Sequence, residues 1–174
     1  MKIWPVIASI AFVTSVHAQT PYAGMQTRPI KALSEQQIAD LDAGRGMGLA
    51  LAAELNGYPG PSHVLELADK LELSAEQRAS MQRLFDSMKA EAMPLGAKLI
   101  EQEAELDKQF VSRTVTPESL KVSTAAVAAT QGMLRETYLK YHLSTGSILT
   151  PSQMTKYAEL RGYGGGGHKQ HRHH

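Results

Sequence analysis

The chain contains no cysteine. It therefore cannot form a disulfide, bind a metal through thiolate or use a cysteine nucleophile, and the fold must depend on packing alone. The chain also lacks an excess of either charge. Its 18 basic residues include Lys2 of the N-terminal leader, and without Lys2 the remaining 17 basic residues equal the 17 acidic residues in number. Nucleic-acid-binding proteins usually carry a basic excess or stripe, so we expect no nucleic-acid partner.

Long apolar runs are also scarce, and the clearest one lies at the N-terminus. After Met1-Lys2, the apolar stretch from Ile3 to Val16 is about 14 residues long, whereas a membrane-spanning helix needs roughly 20. A charged start, a short apolar core and Ala18 at a cleavage position are typical of a secretory signal peptide. We expect cleavage of residues 1–18 and export to the bacterial periplasm, with a retained anchor as the alternative.

The most regular pattern in the chain runs from Ser74 to about Phe110. Apolar residues recur there at steps of three and four, which predicts one helix, on the order of 55 Å long at ~1.5 Å per residue. A second helix, predicted to begin with Thr116 as its cap, to run to about Ser144 and to end by Gly146, must pack against it. Pro94 should bend the first helix. The expected fold class is all-α: a long antiparallel helical hairpin, bent near Pro94, with shorter flanking helices.

Shorter segments flank this hairpin. Residues 19–32 lack periodicity and are predicted to be flexible, whereas residues 33–163 are predicted to form the helical domain. Short helices are predicted after the cap residue Ser34, over Leu49 to Leu55, from a cap at Ser62 to Leu71, and after the cap residue Thr150. Four consecutive glycines open residues 164–174, which are predicted to be a disordered tail.

One helix-start signal, Leu-[Ser/Thr]-x-x-Gln, occurs at residues 33–37, 73–77 and 149–153. The hydroxyl caps the first turn, the glutamine reaches back to the amide of the cap residue, and the leucine packs over the helix start. Each copy alone predicts only the beginning of a helix. The cap positions of the last two copies are Leu73, Ser74, Gln77, Leu149, Thr150 and Gln153.

With two such copies flanking a helical hairpin in an exported, cysteine-free chain, the sequence resembles the Spy/CpxP (LTxxQ-motif) family of periplasmic proteins, including ZraP/CnrX-like heavy-metal sensors. The resemblance covers roughly Ala68 to Tyr163. It implies a cradle-like homodimer that acts as an ATP-independent chaperone, a stress-signalling modulator or a metal sensor. The implied partners are unfolded or misfolded periplasmic proteins, or the periplasmic domain of a sensor kinase. Two features depart from the family: no basic concave face is evident, and the histidine spacing of the metal sensors is absent from the helical domain.

Flexible apolar side chains on the first long helix are the candidate client-binding residues. They are Met81, Phe85, Met88 and Met93. Polarizable, unbranched side chains suit promiscuous binding on a curved surface. The alternative is that the same residues form the core of the hairpin.

Histidines are the candidate metal ligands, because neutral imidazole binds zinc, copper or nickel. They are His168, His171, His173 and His174 in the tail, and His142 near the end of the second long helix. The alternatives are a solvated tail and, for His142, an interaction with the helix dipole. His63 is predicted to lie at the surface. No cofactor is required, and no constellation of nucleophile, base and orienting residue indicates an enzyme.

Overall fold

The computed structural model describes residues 22–163. The predicted signal peptide and the tail lie outside the described residues. The described part contains a 3-10 turn, Met25–Thr27, followed by six α-helices: α1 (Glu35–Asp42), α2 (Leu51–Glu54), α3 (Pro61–Glu66), α4 (Ala75–Val111), α5 (Pro117–Ile148) and α6 (Pro151–Leu160). No strand occurs within residues 22–163.

The long helices α4 and α5 pack against each other as a hairpin, and the all-α prediction is confirmed. They contain 37 and 32 residues, and Arg113 takes a left-handed conformation (φ 56°) in the turn between them. The predicted end of α5 at Gly146 is wrong, because the helix continues to Ile148. An interior glycine costs only about 1 kcal/mol, whereas Pro151 forces the residue before it, Thr150, into an extended conformation.

Pro94 lies within α4, as expected, and the bend that it should cause stays a prediction. Gly96, two residues further on, has a separate packing role. A Cβ atom at this position would lie 2.5 Å from the carbonyl oxygen of Leu41 at the end of α1. The close approach of α1 to α4 therefore requires glycine here.

Reciprocal capping boxes begin four of the helices, α1, α4, α5 and α6. The predicted caps Ser34, Ser74, Thr116 and Thr150 are therefore confirmed. The predicted cap at Ser62 is wrong, because Gly60 is the N-cap of α3 and Pro61 occupies its first position. Proline suits that position, since its fixed φ is helical and no hydrogen bond is lost there. Turns, rather than further helix, lead from α3 to Leu71.

The core consists of two clusters. The first lies where α1 meets the hairpin, and the second lies where α3 and α6 meet the beginning of α4. The first cluster includes Leu41, Met88, Ala92, Leu134 and Tyr138, and the second includes Val64, Ala68, Leu71, Met81 and Tyr157. Ile30, in the segment predicted to be flexible, is buried in the first cluster, and the neighbouring Lys31 forms an ion pair with Asp107 at 3.1 Å.

Candidate functional site

The glutamines of the last two motif copies meet across the fold, although 76 residues separate them. Gln77 Nε2 donates to Gln153 Oε1 at 2.8 Å, and Gln153 Nε2 donates to Gln77 Oε1 at 3.0 Å. We call this reciprocal contact the glutamine pair. It joins the beginning of α4 directly to the beginning of α6.

Each member of the glutamine pair also bonds to the backbone. Gln77 Oε1 accepts from the amide of Ser74, and Gln153 Oε1 accepts from that of Thr150, both at 3.0 Å. The amide groups donate further to carbonyl oxygens, Gln77 to Ile148 at 3.1 Å and Gln153 to Leu71 at 3.2 Å. One side chain in each motif thus serves as both a helix cap and a tertiary contact.

A second polar arrangement surrounds Glu54, which is only 5% exposed. Its carboxylate accepts hydrogen bonds from the hydroxyl of Tyr157 and, at 3.1 Å, from the amide of Gly60. The imidazole Nε2 of His142 lies 3.5 Å from Oε2, and Nδ1 of His63 lies 3.3 Å from Oε1 without hydrogen-bond geometry. We call these residues, with Arg161 and Tyr163 at 3.8 and 3.3 Å from Oε1, the Glu54 cluster.

The Glu54 cluster keeps its central carboxylate ionised. Burial by itself would raise the pKa of Glu54, but the neighbouring His142, His63 and Tyr157 side chains outweigh it and hold that pKa well below its usual range. Burial also raises the pKa of the Tyr157 hydroxyl, and the hydrogen bond to the carboxylate raises it further. A buried, charge-assisted network of this kind links α2, α3, α5 and α6.

His142 has a defined orientation within this cluster. Its Nδ1 lies 2.8 Å from the carbonyl oxygen of Tyr138, one turn earlier on α5. Because a carbonyl only accepts hydrogen bonds, Nδ1 carries a proton and Nε2 faces Glu54. The predicted surface position of His63 holds only in part, since its Nδ1 atom is buried.

A cavity of about 530 Å³ lies beside the Glu54 cluster. The loop between α1 and α2, the beginning of α3 and one stretch of each long helix form its walls. Its apolar lining includes Ala50, Leu51, Phe85, Met88 and Tyr138. Clefts of this size and character are typical small-molecule sites.

The predicted client-binding residues do not share one exposed face. Met81 is 0% exposed in the second core cluster, and Met88 belongs to the first. Phe85 is partly buried and lines the cavity, whereas Met93 is 41% exposed. Of the four, only Met93 is thus exposed in this structure.

The predicted metal ligands are separated in a similar way. The four tail histidines lie outside the described residues, and His142 is buried in the Glu54 cluster. Within residues 22–163, no group of three or more histidine or carboxylate side chains has an arrangement that could hold a metal ion. His142 therefore acts here as a partner of Glu54 and Tyr138.

Sequence reasoning missed both the glutamine pair and the role of Glu54. The three motif copies were the available signal for the pair, since glutamine at the third helical position can form contacts beyond its own cap. Glu54 gave no comparable signal, because a single acidic residue near the end of a short helix usually faces solvent.

A helical hairpin whose helix starts are joined through Leu-[Ser/Thr]-x-x-Gln motifs defines a protein of the LTxxQ class. A family model described as LTXXQ motif family protein matches residues 61–161, and the chain belongs to this family, which is of the Spy/CpxP type. Comparisons with curated proteins and with solved structures gave no match. The family is typically periplasmic, and between residues 22 and 163 no helix is both long and apolar enough to cross a membrane.

Proposed function

We propose that this protein is a periplasmic, ATP-independent chaperone that holds non-native chains on its helical hairpin. Membership of the Spy/CpxP-type family supports the general role, and proteins of this family are not known as enzymes. We also propose that residues 1–18 direct export and are then removed.

The observation that carries the proposal is the apolar surface at the turn of the hairpin. Large apolar side chains are exposed on both sides of this turn, and we call these four residues the tip patch: Phe110, Val111, Leu120 and Val122. Val111 and Val122 are 69% and 70% exposed. Exposed apolar side chains grouped in one region are typical of surfaces that bind other proteins.

The tip patch replaces the methionine row as the candidate client surface. Met81 and Met88 already contribute to the core, so a client could not reach them without unfolding the hairpin. Met93 is also exposed on α4, but it lies far along the helix from Phe110 and is not part of the tip patch. A homodimer would present two such surfaces, and we propose that state as the active one.

Aggregation of reduced α-lactalbumin provides a direct assay, because the reductant cannot affect a chain without cysteine. We expect equimolar protein to suppress light scattering. We expect the tip variant Val122→Ser to lose most of that effect, whereas Leu143→Ser, at another exposed position on α5, keeps it. Absence of suppression by the wild type would overturn the chaperone role, and full activity of Val122→Ser would overturn the assignment to the tip patch.

Size-exclusion chromatography with light scattering tests the dimer and separates two roles of the tip patch. We expect the wild type and Val122→Ser to have the same dimeric mass. A monomeric Val122→Ser would mean that the tip patch binds the second subunit rather than the client.

The second candidate is a periplasmic metal-responsive regulator that acts through the periplasmic domain of a sensor kinase. Four histidines within the last seven residues favour it, since a chain segment rich in imidazole can bind zinc, copper or nickel. Calorimetry with zinc should show saturable binding that disappears when the chain ends at Tyr163. Equal binding by both forms would place the ligands elsewhere, and no binding by the full chain would exclude this role.

A further inference from the structure

The cavity beside the Glu54 cluster has charged as well as apolar walls. The charged side chains that line it, apart from its histidines, are Arg45, Lys89, Glu54 and Glu66. A charge that already has a partner inside the protein gains little from a ligand, whereas a charge without one favours a ligand of opposite sign. The partners of these four groups therefore indicate which class of ligand the cavity suits.

Two of the four charges are compensated within the fold. The guanidinium group of Arg45 bonds to the Asp40 carboxylate and to a backbone carbonyl oxygen. The Glu54 carboxylate faces His142, whose Nδ1 lies 2.8 Å from the Tyr138 carbonyl oxygen and whose Nε2 lies 3.5 Å from Glu54. Acceptors beside both ring nitrogens favour the imidazolium form of this histidine. Glu54 thus has a positive partner that faces it from α5.

Lys89 is a cation of the wall whose charge is not compensated in this way. Within residues 22–163, its ammonium group forms no ion pair and no hydrogen bond, and the nitrogen is not buried. The nitrogen lies 5.7 Å from the centre of the Phe85 ring, which is also part of the cavity wall. A Cβ atom at Gly44 would lie 3.7 Å from Cγ of Lys89, so the stem of the side chain packs against the α1–α2 loop. The half-buried side chain therefore holds a positive charge beside apolar surface.

Glu66 also lacks an ion pair among the described residues, but its side chain is exposed to solvent. The Ser62 hydroxyl lies 3.4 Å from its carboxylate. Water and salt screen an exposed charge, so a new ion pair at such a position is worth little. An opposite charge on a ligand gains more at Lys89, because the Phe85 ring and the α1–α2 loop exclude part of the water there.

We propose that this cavity binds a small amphiphilic anion, with one carboxylate that pairs with Lys89 and an apolar, ring-sized body. The body lies against Leu51, Phe85 and Met88, which line the cavity. The volume of about 530 Å³ lies within the range of roughly 300–1,000 Å³ that is typical of small-molecule sites. Aromatic monocarboxylates are the ligand class that fits both the charge and the walls.

Three naphthalene derivatives with the same ring system test the proposal with the folded protein at pH 7. The probes are 2-naphthoate, which is an anion, 2-naphthalenemethanol, which is neutral, and 2-naphthylmethylammonium, which is a cation. Fluorescence titration should give saturable one-to-one binding of 2-naphthoate, at least fivefold tighter than that of the other two. No saturable binding of 2-naphthoate would overturn the proposal, and equal or tighter binding of the alcohol or the amine would overturn the anionic class.

The variant Lys89→Met tests the cation directly, because methionine keeps an unbranched apolar stem and removes the charge. We expect it to bind 2-naphthoate at least fivefold more weakly and to bind the alcohol as the wild type does, to within twofold. The control is Lys98→Met, at an exposed lysine of α4 that does not line the cavity. Unchanged 2-naphthoate binding by Lys89→Met, or an equal loss in both variants, would overturn the role of Lys89.

A second set of variants tests whether the probe enters the cavity. Leu51 lines the cavity and is 53% exposed, so Leu51→Ala should fold and weaken 2-naphthoate binding severalfold. Leu143→Ala, at a 58% exposed leucine outside the lining, and Val122→Ser, in the tip patch, should have no effect. A loss in either control equal to that in Leu51→Ala would show that the probe binds exposed apolar surface and would overturn the cavity site.

Discussion

The glutamine pair should be worth more than two ordinary helix caps. The alanine substitution Gln153→Ala removes an acceptor for the Thr150 amide, a donor to the Leu71 carbonyl and both contacts with Gln77. A net hydrogen bond contributes about 0.5–1.5 kcal/mol, and water replaces part of this loss at a half-buried site. We therefore expect the free energy of unfolding to fall by about 2–4 kcal/mol.

The first motif copy provides a matched control. Gln37 bonds to the Ser34 amide at 2.9 Å in the same capping box, but it takes no part in the glutamine pair. Gln37→Ala should therefore cost only about 0.5–1.5 kcal/mol, the net contribution of one hydrogen bond. Urea unfolding followed by circular dichroism gives both values on one scale.

A double-mutant cycle isolates the contact itself. If Gln77 and Gln153 stabilise each other, the double alanine variant should be less destabilised than the sum of the two single variants, by about 1–2 kcal/mol. Equal losses for Gln153→Ala and Gln37→Ala, with no coupling energy in the cycle, would refute the reasoning and reduce the motif to a local cap.

Two further predictions concern the Glu54 cluster and the glycines. Glu54→Gln should lower the free energy of unfolding by about 2–3 kcal/mol at pH 7. The folded protein holds the pKa of Glu54 below its ordinary value of 4.5, so the wild type should lose its advantage over Glu54→Gln as the pH falls below 4.5. Urea unfolding between pH 7 and pH 3 tests this, and equal acid sensitivity of the wild type and the variant would contradict it. Gly96→Ala should destabilise by about 2–4 kcal/mol, since its Cβ would overlap the Leu41 carbonyl, whereas Gly132→Ala, with open space around it, should stabilise by about 0.5–1 kcal/mol in thermal unfolding. Stabilisation by both glycine substitutions would show that helix propensity, not packing, decides the effect.

Features that depend on neighbours in the chain could be predicted from the sequence. The periodicity of α4 and α5 and the hydroxyl-x-x-glutamine spacing act within one or two turns of helix, so the helices and their caps at Ser34, Ser74 and Thr150 were correctly identified. Gly146 was misread because a local helix-ending tendency of about 1 kcal/mol is smaller than the packing energy of a long helix.

Features that depend on which elements meet could not be predicted in the same way. Met81 and Met88 stand seven residues apart, and their spacing left open a binding face or the core of the hairpin. The structure places both in the core, where α3 and α6 cover Met81, and α1 and α5 cover Met88. Likewise, the partners of Glu54 lie at positions as distant as His142 and Tyr157, so only the tertiary fold shows that its carboxylate is buried and paired.

The three motif copies show why the LTxxQ pattern is more than a helix-start signal. All three form the same reciprocal capping box, yet only the copies at 73–77 and 149–153 place their glutamines in contact. The family match over residues 61–161 includes these two copies and leaves out the copy at 33–37. A cap alone could use serine in place of glutamine, as the box of Thr116 and Ser119 does at the beginning of α5. Glutamine is longer, and its amide can accept from the backbone while donating to a partner. We therefore infer that the motif needs glutamine at its last position because two helix starts must be joined there as well as capped.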